Sequence, residues 1–314
     1  MYLKYFDKRS ACPICHAKSF KSIYSIPYNS KAISRYLSQF YQPQGKIEFE
    51  FLNGVNYTLL KCEICKGIFQ QYIPNDTLMY KLYEDWISPD IALKNHKIIQ
   101  KKLFSTYYEE ITKIQNGFYK NENEIKVLDY GMGWGTWAFI AQSYGWDTYG
   151  LELSPSRIKY AQSRGVQIVT GKEDLKETFD FINTEQVFEH IPKPLTTLME
   201  LKTWLKPNGI IKISVPTAQN IDERLKMMDW TVKKGTKFSL NPVAPLEHIN
   251  FYRTESLEKM SLQTGLIMKN IPVSTQLRYT YWNGNLKCRI KKILQPFRVD
   301  YFKSINYVFL QKQE

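Results

Sequence analysis

Between positions 127 and 136 the chain reads Val127-Leu128-Asp129-Tyr130-Gly131-Met132-Gly133-Trp134-Gly135-Thr136. A short apolar run ends in an acid and passes into a loop with glycine at every second position. Such a run suits a buried parallel strand. Alternating glycines let the backbone come close to a ligand where a Cβ would collide. Strand, glycine loop and helix in this order open an α/β sheet whose ligand sits at the strands' carboxyl ends. The spacing narrows the ligand. A dinucleotide loop reads G-x-G-x-x-G, with its third glycine packing helix on strand beside a pyrophosphate. Here the pattern is G-x-G-x-G, and Thr136 stands where that third glycine would fall. Asp129, just ahead of the loop, would repel a pyrophosphate but not a cationic amino acid.

The chain beyond this loop alternates strand and helix patterns. Strands are expected over 126–130, 147–151, 167–170, 179–183 and 210–215, with candidate final strands over 266–273 and 305–310. Helices are expected over 136–145, from Ser154-Pro155 onward, and over 195–205 and 254–264. This alternation predicts a Rossmann-like, mostly parallel seven-stranded α/β sheet. Upstream, 91–119 reads as a helix with Ile91, Ile98, Ile99, Leu103, Tyr107, Ile111 and Ile114 near one face. Three regions follow: 1–66, 67–120 as a bridge and helix, and 121–314 as the sheet domain.

Four of the five cysteines form two C-x-x-C pairs, Cys12/Cys15 and Cys62/Cys65. Paired C-x-x-C units in a reducing compartment read as a tetrahedral zinc site before they read as disulfides. Between them, 46–51 alternates apolar and polar residues, Asn53-Gly54 is a strong turn signal, and 56–60 returns to the second pair. The expectation is a zinc ribbon whose hairpin delivers the second knuckle. His16 directly follows the first knuckle, but four sulfurs already suffice as ligands, which argues against a ligand role for it.

Composition adds limits. The chain has 314 residues and a formal charge of +13. No run approaches the about 18 apolar residues that a membrane span requires, and the start lacks a signal peptide's apolar core. A cytoplasmic protein is expected. The positive charge suits nucleic acid, anionic lipid or a phosphorylated substrate, or is scattered surface lysine. One cluster is denser. Lys287, Arg289, Lys291, Lys292 and Arg298 alternate with Ile290, Ile293, Leu294 and Phe297, which suits peripheral membrane contact or a helix packed on the domain.

The glycine loop, its preceding Asp129 and the later segment Gly150-Leu151-Glu152-Leu153-Ser154-Pro155 resemble the first two motifs of the class I S-adenosylmethionine (SAM) methyltransferases. The Cys12 knuckle, the tyrosine-rich bridge (Tyr80, Tyr83, Trp86) and the segment 245–252 extend the likeness. Together they resemble the zinc-ribbon-bearing bacterial type-12/type-23 group, distantly similar to sugar C-methyltransferases. Glycine usually follows the knuckle in that group, where this chain has His16. The resemblance implies a SAM site of Asp129, Gly131, Gly133, Gly135, Glu152, Leu153, Glu173, Asp174 and Glu185. Glu152 would accept ribose hydroxyls, Glu173 or Asp174 would meet the adenine, and Glu185 would lie near the methionine moiety. It implies zinc on Cys12, Cys15, Cys62 and Cys65.

His190 and His248 fall in segments that line the family's pocket, which makes them candidate bases. Glu185 and Glu189 are alternatives. The acceptor is expected to be a small polar molecule, such as a nucleotide- or lipid-linked sugar, held among the 183–194 loop, 245–252 and Tyr80–Trp86. An RNA methyltransferase is a rival reading. No Asn-Pro-Pro-Tyr-like motif follows the fourth strand, where Asn183-Thr184-Glu185-Gln186 stands. A second rival is a non-catalytic ribbon module beside a SAM-binding domain.

Overall fold

The computed structural model describes residues 4–120, 122, 124–171, 174–216, 221–234, 236–282, 285–302 and 307–314; of residues 288, 295 and 297–302 it describes the backbone only. The chain divides into two compact units. Unit 1 comprises Met1–Asn95, Phe188–Thr197 and Val215–Gln263, and unit 2 comprises His96–Val187, Leu198–Ser214 and Thr264–Glu314.

Unit 2 carries the expected sheet. Its strands are β1 (Lys126–Tyr130), β2 (Asp147–Leu151), β3 (Gln167–Ile168), β4 (Phe179–Glu185), β5 (Leu205–Ser214), β6 (Leu266–Lys269) and β7 (Tyr307–Lys312). Their order is β6-β7-β5-β4-β1-β2-β3. The β5-β4-β1-β2-β3 run is parallel, and β7 joins it antiparallel to both β5 and β6. The parallel register places Asp129 opposite Asn183, Tyr130 opposite Leu151, and Glu185 opposite Ser214. One carboxyl edge therefore gathers the ends of four strands, as parallel α/β sheets require of a ligand site.

Helix α1 (Pro89–Phe118) runs for 30 residues, about 45 Å at 1.5 Å per residue. That is far longer than a strand. Ile111 and Ile114 are buried with Val127, Trp137, Phe181 and Ile210. Ile91, Ile98 and Ile99, expected on the same buried face, are exposed. The helix outruns the sheet, so its apolar period is satisfied only where strands lie beneath it.

Unit 1 is built on a four-stranded antiparallel sheet of Asn250–Phe251, Ile68–Gln70, Asn56–Cys62 and Phe20–Pro27, in that order. The expected hairpin of 46–51 with 56–60 does not form. Asn56–Cys62 pairs with Phe20–Pro27 instead, Phe20 opposite Cys62 and Pro27 opposite Asn56. Residues Phe49–Leu52 coil into a short 3-10 turn. Phe51 packs against Tyr5 and Trp86 in the aromatic core rather than extending along a strand. The Asn53-Gly54 turn does exist, with Gly54 at φ 76°, but it joins that 3-10 turn to the strand. The core draws Tyr28, Tyr57 and Trp86 together with Ile221, Trp230, Val243 and Phe251. Among the described residues no helix is long and apolar enough to cross a membrane.

Candidate functional site

The cofactor loop follows from backbone conformation. Gly131, Gly133 and Gly135 have φ of 69°, 56° and 70°, in the left-handed region that side chains disfavour. Two of them also answer to their surroundings. A Cβ on Gly131 would come within 2.8 Å of Val187, and one on Gly135 within 3.0 Å of Ala161. A Cβ on Gly133 would meet nothing within 4 Å. The first and third glycines close the turn, and the middle one leaves a space beside the carboxyl edge of the sheet.

That space is bordered by Glu152. Its Oε1 accepts from the Leu153 N–H at 2.8 Å and the Ser154 N–H at 3.1 Å, and its Oε2 from the Gly133 N–H at 2.9 Å. A carboxylate offers about four acceptor sites. Three backbone amides fix this one and leave Oε2 open to a further hydroxyl. Arg157 lies 3.8 Å away. Leu153 projects outward at 89% exposed, which suits covering the flat face of a ligand. Asp174 is exposed on the loop after β3, and Glu173 lies outside the described residues.

Asp129 is buried. Its Oδ1 accepts from Asn183 Nδ2 at 2.8 Å, while Oδ2 has no hydrogen-bond partner among the described residues. Burial pushes its carboxyl up to about 7, against the hydrogen bond from Asn183. An orphaned buried carboxylate oxygen at the mouth of the loop is the group that a cationic amino function would satisfy. Glu185 is engaged elsewhere: its Oε2 meets Lys212 Nζ at 2.7 Å and its Oε1 accepts from Ser214 Oγ at 3.1 Å. Lys212 is fully buried and also binds Glu110 at 2.6 Å. Burial alone would lower the Lys212 ammonium, but Glu110 and Glu185 more than offset it and the group is raised. Sequence reasoning missed this trio, although a lysine between Ile211 and Ile213 in a central strand was its signal. It also missed His96, whose Nε2 lies 2.8 Å from Thr136 Oγ1 and whose ring lies 6.2 Å from that of Trp134. Nothing local on a long helix announces that position.

In unit 1 the four cysteines converge. Cys12 Sγ lies 3.7 Å from Cys65 Sγ and Cys15 Sγ 3.6 Å from Cys62 Sγ, and all four are buried within 4.8 Å of one another. A tetrahedron of zinc–sulfur bonds of about 2.3 Å has edges of about 3.8 Å, whereas a disulfide needs about 2.05 Å. The set fits zinc. Both knuckles are the same turn: the Cys12 N–H donates to Ala17 O and the Cys62 N–H to Gly67 O, each at 2.9 Å. His16 and Lys66 follow with φ of 60° and 61°. Helix Thr254–Thr264 ties the knuckles down, with Ser256 Oγ donating to Cys65 O and Gln263 Nε2 to Cys15 O. Burial pushes the Cys15 thiol up to about 11; four sulfurs become thiolates together only around a cation.

The two candidate histidines also meet in unit 1. Their ring centroids are 5.0 Å apart. His190 Nδ1 lies 2.9 Å from Glu247 O and 3.3 Å from the Tyr83 hydroxyl. A carbonyl only accepts, so Nδ1 carries a proton; in the neutral ring the lone pair then lies on Nε2. Glu189, buried, lies 3.9 Å from that Nε2. Asn250 Nδ2 and the Tyr252 hydroxyl both donate to Phe188 O and hold the 188–190 turn. Burial, then His190, pushes His248 down to about 3. Its ring is neutral and a weak proton acceptor at neutral pH. Of the bridge aromatics, only Tyr83 reaches this cluster: Tyr80 is exposed, and Trp86 is buried in the core donating to Glu48.

The Methyltransf_23 family, described as a methyltransferase domain, matches residues 99–268, more than half of the chain. A ubiquinone biosynthesis O-methyltransferase of Aliivibrio fischeri (strain MJ11) is 26% identical over 161 residues, covering 46% of this chain and 65% of that protein. One of Histophilus somni (strain 2336) is 27% identical over 166 residues, covering 47% and 67%. This chain thus spans somewhat under two thirds of the length of the Aliivibrio relative. A solved plantazolicin methyltransferase, BpumL, in complex with a desmethylPZN analog and SAH, is 15% identical, with a TM-score of 0.48 over 76% of this chain and 95% of its own. On the span of the family match, which contains the glycine loop, the chain belongs to the Methyltransf_23 family of methyltransferase domains.

Proposed function

We propose that this chain transfers the methyl group of SAM to a hydroxyl of a small polar acceptor, a sugar or another glycan, lipid or metabolite intermediate. One observation carries the reading: the open space at Gly133, bordered by a Glu152 carboxylate that three backbone amides hold in place. When bound, SAM supplies a methyl group already activated on a positively charged sulfur. Glu152 Oε2 would receive a ribose hydroxyl. Asp129 would meet the cationic amino group and ionise as it does so. His190, with its lone pair on Nε2, is the better proton acceptor of the two histidines, because His248 is held near 3. His248 and Glu189 would position it. The names of the relatives, O-methyltransferases, favour oxygen as the accepting atom. The charge of +13 favours a nucleotide- or lipid-phosphate-linked acceptor.

Calorimetry with SAM and SAH tests the reading. Binding in the micromolar range is expected, about −8 kcal/mol, with Glu152→Ala weakening it at least about tenfold, the equivalent of about 1.4 kcal/mol. Asp129 gives a pH signature. Its ionised form is disfavoured below about 7, and the cationic cofactor prefers that ionised form. Affinity should therefore rise from pH 6 to pH 8 in the wild type and stay flat in Asp129→Asn. Labelled SAM offered to separate pools of nucleotide sugars, lipids and RNA identifies the acceptor class. Binding of NAD with no response to SAM would overturn the cofactor reading, and label entering RNA alone would overturn the acceptor.

A further inference from the structure

Helix α2 of unit 2 (Leu286–Phe302) presents an apolar stripe that, among the described residues, nothing in its own unit covers. Leu286, Ile290, Ile293 and Leu294 are between 44% and 74% exposed. At about 100° per residue, with Leu286 at zero, Ile290, Ile293 and Leu294 fall at about 40°, −20° and 80°. All four share one arc about 100° wide. Exposed Lys287 and Arg289 fall on its two flanks, at about 100° and −60°, and exposed Lys291 lies next to Lys287. The opposite side of the helix is the one tied to the protein. There Lys292 donates to Tyr281 O and lies 3.8 Å from Glu109. Just ahead of the helix, Tyr281 and Trp282 are also exposed.

We propose that this helix docks unit 2 onto an anionic lipid surface. An apolar arc with basic residues on both shoulders is the design of a helix that lies in the membrane interface. Its lysines and arginine meet acidic headgroups, and exposed tyrosine and tryptophan favour the same depth. Lys292 orients the arc outward by anchoring the far side. The charge argues against a second copy of this chain as the occupant. Two such helices pairing face to face would set Lys287 and Arg289 against their own kind on a protein of net charge +13. The inference stands apart from the methyl-transfer reading, since binding to vesicles is read without cofactor or acceptor.

Co-sedimentation of the full chain with vesicles tests it. One set contains phosphatidylglycerol and phosphatidylcholine and the other phosphatidylcholine alone, both at about 0.1 M salt, where the screening length is about 10 Å. The wild type should pellet with the anionic set only, and less so as salt rises. The double variant Ile290→Ser/Ile293→Ser should lose at least about tenfold in partitioning. Lys287→Glu/Arg289→Glu should lose more, since each basic residue near the surface is worth about fivefold. These positions are exposed, so circular dichroism and melting should match the wild type. Wild type that stays in the supernatant with anionic vesicles overturns the proposal. So does a serine variant that pellets undiminished, or a wild-type dimer in gel filtration that the serine variant splits.

Discussion

The cofactor loop of unit 2 and the knuckles of unit 1 ask the backbone for the same unusual conformation and receive it from different residues. Gly131, Gly133 and Gly135 have φ between 56° and 70°, and so do His16 and Lys66 at 60° and 61°. A left-handed φ on a side-chain-bearing residue costs on the order of 1 kcal/mol. Alone, that does not compel glycine. The loop compels it at Gly131 and Gly135 because Val187 and Ala161 stand where a Cβ would be, and at Gly133, on the proposed reading, because the ligand needs the space. The knuckles tolerate histidine and lysine because their side chains point to solvent and because the four sulfurs hold the turn. A metal site can absorb local strain that a site for an organic cofactor cannot.

The comparison breaks most visibly at the metal. Purified chain should carry about one zinc, as one set of four thiolates implies. Cys62→Ser, or a strong chelator, should destabilise unit 1 by several kcal/mol, since structural zinc contributes folding free energy directly. The knuckles would lose the constraint that keeps His16 and Lys66 left-handed. Melting followed with metal analysis checks this. Chain prepared under reducing conditions that holds no zinc, or that melts alike with and without chelator, would remove the metal from the comparison.

The glycines sharpen it next. Gly131→Ala puts a Cβ 2.8 Å from Val187 at φ 69°. It should cost about 3 kcal/mol, conformational strain and overpacking together. Gly133→Ala meets no atom within 4 Å and should cost only about 1 kcal/mol, yet it should abolish SAM binding. Denaturation and calorimetry on the two variants separate a glycine kept for packing from one kept for a ligand. Equal losses of stability in both would show that φ alone governs the loop.

The sequence announced these two regions unequally. Strands 126–130 and 147–151 were readable to the residue, because a buried parallel strand is a local apolar run stopped by a glycine loop or an acid. The four sulfurs were readable because C-x-x-C is a local unit. The sheet of unit 1 was not. Phe20–Pro27 finds Asn56–Cys62 across an intervening helix, and Asn250–Phe251 finds Ile68–Phe69 across most of the chain. No local period encodes such a partner. The candidate site divides in the same way. Asp129 and Glu152 sit where strand ends place them, and Asn183 reaches Asp129 by the register of adjacent strands. Lys212 carried a signal in its own strand, but its partner Glu110 lies on a helix distant in sequence. The expected hairpin at 46–51 failed because alternation alone cannot distinguish a strand from a 3-10 turn whose aromatic residues feed a core.

His16 offers the smallest and cleanest test of the comparison. Its side chain is exposed and its φ is 60°, so glycine there removes the strain and no packing. About 1 kcal/mol of strain relief is set against the greater unfolded-state freedom of glycine, about 0.4–1 kcal/mol. His16→Gly should therefore stabilise the zinc-loaded chain by no more than about 0.6 kcal/mol. His16→Ala keeps the left-handed strain, since alanine also carries a Cβ, and should gain nothing. Denaturant midpoints of the two variants with zinc bound isolate the backbone contribution from the side chain. Equal gains in both would mean that the imidazole, not the φ, is what the turn bears at a cost. A loss of more than about 1 kcal/mol in His16→Gly, the scale of the strain itself, would mean that the histidine holds the knuckle through contacts of its own.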